Sequence, residues 1–333
     1  MKAGNSRRRL VDRVYDFVSA LLGSSALLFL FMILAVLAVF SLPSLVVNGL
    51  NFFTTVIWNP GISTTLTAVR GFPAMSGASY GMLVFFSGTL ISSGLALLIG
   101  APLSIGVAIF LSMIAPKRLS ASLSFFVELL AGIPSIVFGF WGLLVLAPLL
   151  VNVVEPVMAQ YLGFIPGFGG PVYGYGLIAS GLVLALMIVP IVSAISRDAM
   201  SQTPIELKEA AMALGMTNWE VTRKVVLPYA KTAIVGSLVL GLGRALGETM
   251  AVAMVSQSAL NILPMTVYYP INTLSAFMAV TFDSALTDPS GMEISSLAEL
   301  ALVLFIITTT VNIVARLLVR RGFISSAEHL VQV

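Results

Sequence analysis

Several residue types that support chemistry in soluble proteins are absent or scarce in this sequence. It contains no cysteine, and its single histidine, His329, lies close to the C-terminus. Disulfides, thiolate metal sites, a cysteine nucleophile and His-based catalytic triads are therefore excluded. Asp, Glu, Lys and Arg make up only 9% of the 333 residues, against about a quarter in an average soluble domain. This composition counts against a soluble enzyme, a metalloprotein and a nucleic-acid-binding module.

A nucleotide-binding phosphate loop is also absent, because no segment has the GxxxxGK[ST] spacing. The chain therefore has no P-loop of its own with which to hydrolyse ATP. The apolar stretches contain no paired carboxylates, His–Asp set or Ser–Lys dyad at usable spacing. We predict no catalytic residue, no metal ligand and no cofactor bound by this chain.

Apolar residues, in contrast, are abundant. They make up 58% of the chain, more than a folded protein of this size can hide from water, so lipid is the expected solvent. A membrane-spanning helix needs about 20 apolar residues. The candidate spans are 19–42, 80–114, 126–154, 173–195, 232–258 and 297–319. The second stretch is too long for one straight span, so we predict that Pro102 breaks or kinks it, or that part of it lies outside the bilayer.

The segment 259–280 is apolar as well, but it contains two prolines and two asparagines. A seventh span here would move the arginines near the C-terminus to the outside. We therefore interpret this segment as an external loop with at most a short helix on the membrane surface.

The positive charges predict the orientation. Fifteen of the 17 lysines and arginines lie in the N-terminal segment, in the second and fourth connections between spans, or near the C-terminus. By the positive-inside rule, both termini are cytoplasmic, which agrees with six spans. A cleaved signal peptide is the alternative for the first stretch, but its length favours an uncleaved helix. The predicted regions are a cytoplasmic segment 1–18, a first helix 19–42, an external loop 43–79, a core 80–320 and a cytoplasmic tail 321–333.

The cytoplasmic loop 196–231 contains a spaced motif. It reads Glu209-Ala210-Ala211, three residues, Gly215, nine residues, Val225, one residue, Leu227-Pro228. This spacing resembles the EAA loop of ABC-importer permeases, from which it departs only by Val225 in place of isoleucine. The resemblance implies a coupling helix that docks on a cytoplasmic ATPase through Glu209, Ala210, Ala211, Gly215, Leu227 and Pro228. The alternative is an ordinary solvated amphipathic loop.

Two opposite charges lie inside the fifth apolar stretch. Arg244 and Glu248 are four residues apart, so a continuous helix would place them on one face, where they can pair. A charge at the bilayer centre costs about 2.5–3.5 kcal/mol on insertion scales, which makes a functional use the first hypothesis. A guanidinium suits an oxyanion because its planar fork donates two hydrogen bonds. A salt bridge that only fixes packing is the alternative.

A third charge, Glu128, is predicted near the cytoplasmic start of the third span. We interpret it as structural, either at the N-terminal end of the helix dipole or paired with Lys117 or Arg118.

Three segments together resemble the permeases of the phosphate-specific ABC importer, with the C-type subunit the closer match. They are the segment from Glu128 to Ser135, the segment from Phe140 to Leu150, and the segment Gly243-Arg-Ala-Leu-Gly-Glu-Thr-Met-Ala251. The resemblance implies an all-α polytopic protein with six transmembrane helices and the type I ABC importer permease fold. It places the protein in the bacterial inner membrane and assigns substrate translocation to Arg244, Glu248 and Thr249.

The same resemblance implies the partners. They are a related A-type permease in a heterodimer, two cytoplasmic ATPase subunits that bind ATP and magnesium, and an external phosphate-binding protein. Lipid surrounds the assembly, and no nucleic acid is involved. The predicted function is therefore a non-catalytic permease subunit of an importer for inorganic phosphate. The alternatives are an ABC permease for another oxyanion or small solute, and an ATP-independent secondary transporter.

Overall fold

The computed structural model describes residues 2–61, 65–257 and 261–331. For residues 2–11, 13, 315 and 318–331 it describes the backbone alone. Within these ranges six helical segments are long and apolar enough to cross a membrane, which confirms the predicted number. They are Val14–Asn48, Leu83–Ile114, Ser135–Leu162, Leu177–Ser201, Asn218–Gly247 and Met292–Val314.

The elements follow one another in a simple order. The first half contains α1 (Lys2–Asn48), α2 (Asn51–Thr54), β1 (Leu66–Val69), β2 (Phe72–Met75), α3 (Leu83–Ile109), α4 (Lys117–Ala131), α5 (Ser135–Trp141), α6 (Ala147–Leu149) and α7 (Glu155–Leu162). The second half contains α8 (Leu177–Ser201), α9 (Ile205–Ala213), α10 (Asn218–Val221), α11 (Leu227–Gly247), α12 (Met250–Ser256), α13 (Leu274–Ala285) and α14 (Met292–Val331). Single π-helical turns lie at Phe110–Ile114, Gly142–Leu146, Leu150–Val154 and Thr222–Val226.

Helix α8 forms the centre of the bundle, and α3 packs along its length. Two glycines make this close approach feasible. A Cβ atom added at Gly100 would lie 2.7 Å from Ile188 Cδ1, and one added at Gly181 would lie 2.8 Å from Leu95 Cβ. Small residues at such contacts let membrane helices pack tightly where lipid supplies no hydrophobic driving force.

Helix α3 continues through Pro102, so the predicted break at this proline is wrong. A proline removes one backbone hydrogen bond and crowds the preceding turn. The packing of the neighbouring turn, at Gly100, against α8 holds the helix in place despite this cost.

The third predicted span, 126–154, is displaced in the structure. Helix α4 ends at Ala131, and a new helix begins at Ser135, so residues 126–131 belong to α4 rather than to the span. Pro134 explains the break, because it cannot donate a backbone hydrogen bond and disfavours helical geometry in the residue before it. The span then continues to Leu162.

The segment 259–280 also differs from its prediction as a surface loop. The residues from Ile271 to Phe277 are buried, and the amide of Leu274 donates to the Thr89 hydroxyl of α3 at 2.8 Å. Helix α13 starts inside this buried stretch, with Thr273 as its N-cap. The burial is confined to this second part of the segment, because residues 261–265 are mostly exposed.

The predicted external loop 43–79 contains a β-hairpin that the sequence analysis missed. Strands β1 and β2 pair antiparallel, with Val69 opposite Phe72. Arg70 and Gly71 both have positive φ, 51° and 87°, which is the type I′ turn that suits a two-residue hairpin loop. The Arg70 guanidinium donates to the Val46 carbonyl at 2.7 Å, so the hairpin caps the C-terminal end of α1.

A buried polar cluster joins α1 to α14. The Ser44 hydroxyl donates to Glu299 Oε2 at 2.5 Å, and its amide donates to Ser295 Oγ at 2.9 Å. Ser295 in turn donates to the Phe40 carbonyl at 2.8 Å, and Ser44 also contacts Ser296 at 3.0 Å. Apolar helix faces in lipid specify their register poorly, whereas these hydrogen bonds fix one position of α1 on α14.

We expect Ser44→Ala to loosen α1 from the bundle. The substitution removes the hydroxyl donor to the buried Glu299 carboxylate, and an unsatisfied buried polar group costs about 1–3 kcal/mol. The expected result is a lower thermal unfolding midpoint in detergent and faster proteolysis near the end of α1.

Ser24→Ala is the matched control for this substitution. Ser24 lies on the same helix, is exposed and bonds only to the carbonyl of Leu21. Equal unfolding midpoints for the two variants would contradict a stabilising role for the cluster.

Candidate translocation site and coupling loop

The helix that carries Arg244 ends within the motif itself. Helix α11 stops at Gly247, Glu248 is extended with φ −67° and ψ 130°, and α12 begins at Met250. The predicted pairing of Arg244 with Glu248 is therefore wrong, because a four-residue spacing aligns two side chains only along a continuous helix. The ion pairs of the described side chains do not include Arg244 or Glu248.

Three hydrogen bonds hold the break, one of them from the distant helix α13. Glu248 Oε1 accepts from the amide of Ala251 at 3.4 Å, so the carboxylate lies at the N-terminal end of α12, where the helix dipole favours negative charge. The Ser275 hydroxyl donates to the Glu248 carbonyl at 2.7 Å. Thr249 Oγ1 donates to the Gly247 carbonyl at 3.2 Å. Glu248 and Thr249 thus form the junction between the two helices.

Arg244 lines a cavity of about 340 Å³ between three membrane helices. Ile191 comes from α8, Leu240, Gly243 and Arg244 come from α11, and Asn312 comes from α14. At 1.5 Å per residue, Ile191 lies about 21 Å from one end of α8 and about 15 Å from the other. The cavity therefore lies beside the middle part of α8.

The guanidinium of Arg244 is exposed in this cavity, whereas the next two residues of α11, Ala245 and Leu246, are buried. No hydrogen bond joins its five N–H donors to any other described side chain or backbone group. An unpaired guanidinium attracts anions through its charge and can donate to two oxygens at once.

Asn312 is the polar lining residue that the sequence analysis missed. A Cβ atom added at Gly243 would lie 3.8 Å from Asn312 Oδ1 and 3.9 Å from Nδ2, so the amide lies directly over the glycine beside Arg244. The available signal was a single amide at position 312 in the apolar stretch 297–319. Its position facing Arg244 could not be predicted without the packing of α14 on α11.

The coupling motif forms a compact turn. Helix α9 ends in a Schellman arrangement, in which the amide of Gly215 donates to the Met212 carbonyl at 2.9 Å and that of Met216 to the Ala211 carbonyl at 3.2 Å. Gly215 has φ +83°, which a residue with a side chain adopts only at a cost. A capping box between Thr217 and Glu220 then starts α10.

The motif residues divide between two faces. Ala211 is buried in a cluster with Val221 and Val226 of its own chain, whereas Glu209 and Ala210 are exposed. Leu227 is half-buried, and Pro228 is exposed in the first turn of α11. The exposed apolar side chains nearby are Leu207, Met212, Leu214 and Trp219. The loop thus presents an apolar surface edged by charge, while Ala211 packs internally.

Glu128 pairs with a different cation from those predicted. Its Oε1 lies 3.0 Å from Arg197 Nη2, and Arg197 also contacts Asp198 at 2.7 Å. The pair joins α4 to the end of α8, so the structural interpretation of Glu128 stands, but its predicted partners Lys117 and Arg118 were wrong.

Three kinds of comparison relate this geometry to known proteins. A family model described as "Binding-protein-dependent transport system inner membrane component" matches residues 100–322. The chain is 45% identical over 279 residues to the phosphate transport system permease protein PstC 1 of Mycobacterium tuberculosis, with 82% of each chain covered. It is 38% identical over 322 residues to the PstC protein of Xylella fastidiosa, covering 94% of this chain and 93% of the relative.

The fold is also similar to that of a solved transporter. A crystal structure of a bacterial alginate ABC transporter, in complex with alginate pentasaccharide-bound periplasmic protein, contains a chain that matches with a TM-score of 0.52. The match covers 73% of this chain and 80% of the other at 19% identity, so it supports the fold alone. The predicted type I ABC permease fold is confirmed.

The six membrane helices, the family model and the relatives agree with the predicted resemblance, which is confirmed. This multi-pass membrane protein belongs to the binding-protein-dependent transport system inner membrane components, and within them its sequence groups with the relatives named PstC.

Proposed function

We propose that this chain is a permease subunit of an ATP-driven importer for inorganic phosphate. The relatives named as phosphate transport system permeases support the choice of substrate. The observation that carries the proposal is the unpaired guanidinium of Arg244 in a cavity between the membrane helices α8, α11 and α14. A phosphate oxyanion matches this group in charge and in hydrogen-bond geometry.

We propose that Glu248 and Thr249 also belong to the translocation site, although neither pairs with Arg244. Because Glu248 lies beyond the end of α11, its carboxylate does not pair with Arg244. We propose that its negative charge, at the N-terminal end of α12, acts on the anion as it leaves the cavity. An anion is then attracted strongly enough to enter and repelled enough to leave, as conduction requires. Thr249 holds the end of α11 and so positions Arg244.

We propose that the cavity forms one half of the translocation site and that a second subunit supplies the other half. Arg244, Asn312 and Leu240 are exposed on the surface of this chain, with nothing of the described chain covering them. Importers of this family carry solutes between two permeases, so a second permease would close the cavity. We propose a heterodimer with a related A-type permease, whose surface completes the passage.

The exposed surface of the coupling loop supports the proposal that a cytoplasmic ATPase binds there. Its exposed apolar side chains, including Leu214 at 81% and Trp219 at 59% exposure, need a partner surface. In the proposed mechanism, two ATPase subunits bind ATP and magnesium and draw the coupling loops together. Helix α11, which follows the loop through a π-turn, carries this movement to Arg244. This chain itself performs no catalysis.

The remaining parts of the proposal concern location. Both termini and the loop 196–231 face the cytoplasm of a bacterium, and the protein lies in its inner membrane, as the distribution of positive charge indicates. An external phosphate-binding protein delivers the anion to the opposite face, where the hairpin β1–β2 lies.

A permease for another oxyanion is the main alternative, since a guanidinium binds sulfate and molybdate as well. Uptake of labelled phosphate in competition with these anions separates the two. An ATP-independent secondary transporter would move phosphate in vesicles that contain only this chain and no nucleotide.

We expect Arg244→Gln to lower phosphate uptake by about ten- to hundredfold. The substitution removes charge-assisted hydrogen bonds worth about 1.5–3 kcal/mol, and each 1.4 kcal/mol corresponds to a factor of ten. Uptake is measured in vesicles that contain the assembled transporter, its binding protein and ATP.

Arg118→Gln serves as the control for this experiment, because Arg118 is exposed in the first turn of α4 and does not line the cavity. Normal uptake by Arg244→Gln in a fully assembled transporter would remove Arg244 from the pathway.

We expect Gly215→Ala to weaken ATPase binding. At φ +83° a side chain costs about 1–2 kcal/mol, so the Schellman turn opens and displaces the loop. The measurement is copurification of the ATPase, together with ATP hydrolysis stimulated by the loaded binding protein.

Gly236→Ala is the matched control, because Gly236 lies within α11 and has open space around its Cα. Full ATPase coupling by both variants would contradict the docking role of the loop.

A further inference from the structure

We propose that Asn312 is a second anion-contacting residue and makes the site prefer a protonated oxyanion, such as hydrogen phosphate, over sulfate. This inference rests on the proposed function, because it assigns a role beside Arg244 in the same cavity. It adds a residue that neither the motif around Arg244 nor the coupling motif contains.

The first step in the argument is position. Asn312 lies on α14, Arg244 lies on α11, and both line the cavity together with Ile191 of α8. Gly243 has no side chain, and the amide atoms of Asn312 occupy the space over it, at 3.8 and 3.9 Å from an added Cβ. The polar head of Asn312, and not only its stem, therefore borders the space into which Arg244 opens.

The second step is the lack of a partner. The Asn312 amide forms no hydrogen bond with another described group, and the next residues of α14, Ile313 and Val314, are exposed apolar side chains. Thr308, one turn earlier, instead donates to carbonyls of its own helix at 2.9 and 3.1 Å. The donors and the acceptor of this exposed amide are therefore all available to a polar ligand in the cavity.

The third step is chemistry. Arg244 supplies only donors, whereas the Asn312 amide supplies two N–H donors and one carbonyl acceptor. Phosphate at neutral pH keeps at least one P–OH group, which can donate to that carbonyl, while sulfate has no proton to offer. Sites that pair with a substrate hydroxyl reject analogues that lack it, because their own polar groups are left unpaired.

The two residues then have separate roles in binding. Arg244 attracts any oxyanion through its charge, and Asn312 distinguishes the protonated one through its carbonyl oxygen. The amide donors of Asn312 support either anion.

The test uses the assembled transporter, purified in detergent without its binding protein, so that the binding protein's own selectivity does not contribute. Isothermal titration with phosphate and with sulfate at equal ionic strength gives both dissociation constants. For Asn312→Leu we expect phosphate to bind at least tenfold more weakly and the preference for phosphate over sulfate to fall towards one. Thr310→Val, at another exposed position of α14, is the matched control and should leave both constants unchanged.

Further variants keep the test decisive. Asn312→Asp preserves size but places a negative charge beside Arg244, so both anions should bind much more weakly. Arg244→Gln should weaken the binding of both anions by about ten- to hundredfold. If it does so while Asn312→Leu and Asn312→Asp bind both anions like the unchanged protein, the inference fails but the proposed function stands. If Arg244→Gln has no effect, the proposed site itself fails. Loss of the second permease from both Asn312 variants would assign this residue to the subunit interface and overturn the inference.

Discussion

An uncompensated guanidinium in the middle of a membrane protein is the constraint on which this structure depends. Arg244 lies in a cavity between α8, α11 and α14, and the carboxylate four residues later is separated from it by a break in the helix. An intramembrane charge of this kind costs several kcal/mol unless something stabilises it. A bound anion and a polar neighbour such as Asn312 would both supply that stabilisation, and a second permease would exclude lipid from the cavity.

The packing of the other helices holds the helix that carries Arg244 in position. The packing of α3 on α8 forms a dense centre, because glycines allow the two helices to approach closely. Helix α11 then runs without interruption from the first turn after the coupling loop to the break beyond Arg244. A movement of the loop is therefore transmitted along one rigid element, whereas α1 is held at the edge by Ser44 and its buried hydrogen bonds.

Much of the architecture could be predicted from the sequence, because long apolar stretches are strong, local signals. The same holds for the turn at Gly215, where the residue type reports the backbone conformation directly. Some of the errors came from contacts between distant segments, and others from the local course of the helices. The pairing of Glu128 with Arg197 and the proximity of Asn312 to Gly243 depend on helix packing, which no spacing along the chain reveals. The Arg244–Glu248 pair failed because a four-residue interval was assumed to be helical throughout.

The burial of Ala211 has a consequence for how the coupling motif evolves. Ala211 packs inside its own subunit, whereas Ala210 is exposed. Internal packing therefore constrains position 211, and contact with the ATPase constrains position 210. We expect homologues that exchange their ATPase for a divergent one to vary first at Glu209 and Ala210, and to keep a small residue at 211. Compensatory changes in the ATPase would then accompany changes at the exposed positions Glu209 and Ala210, but not at Ala211.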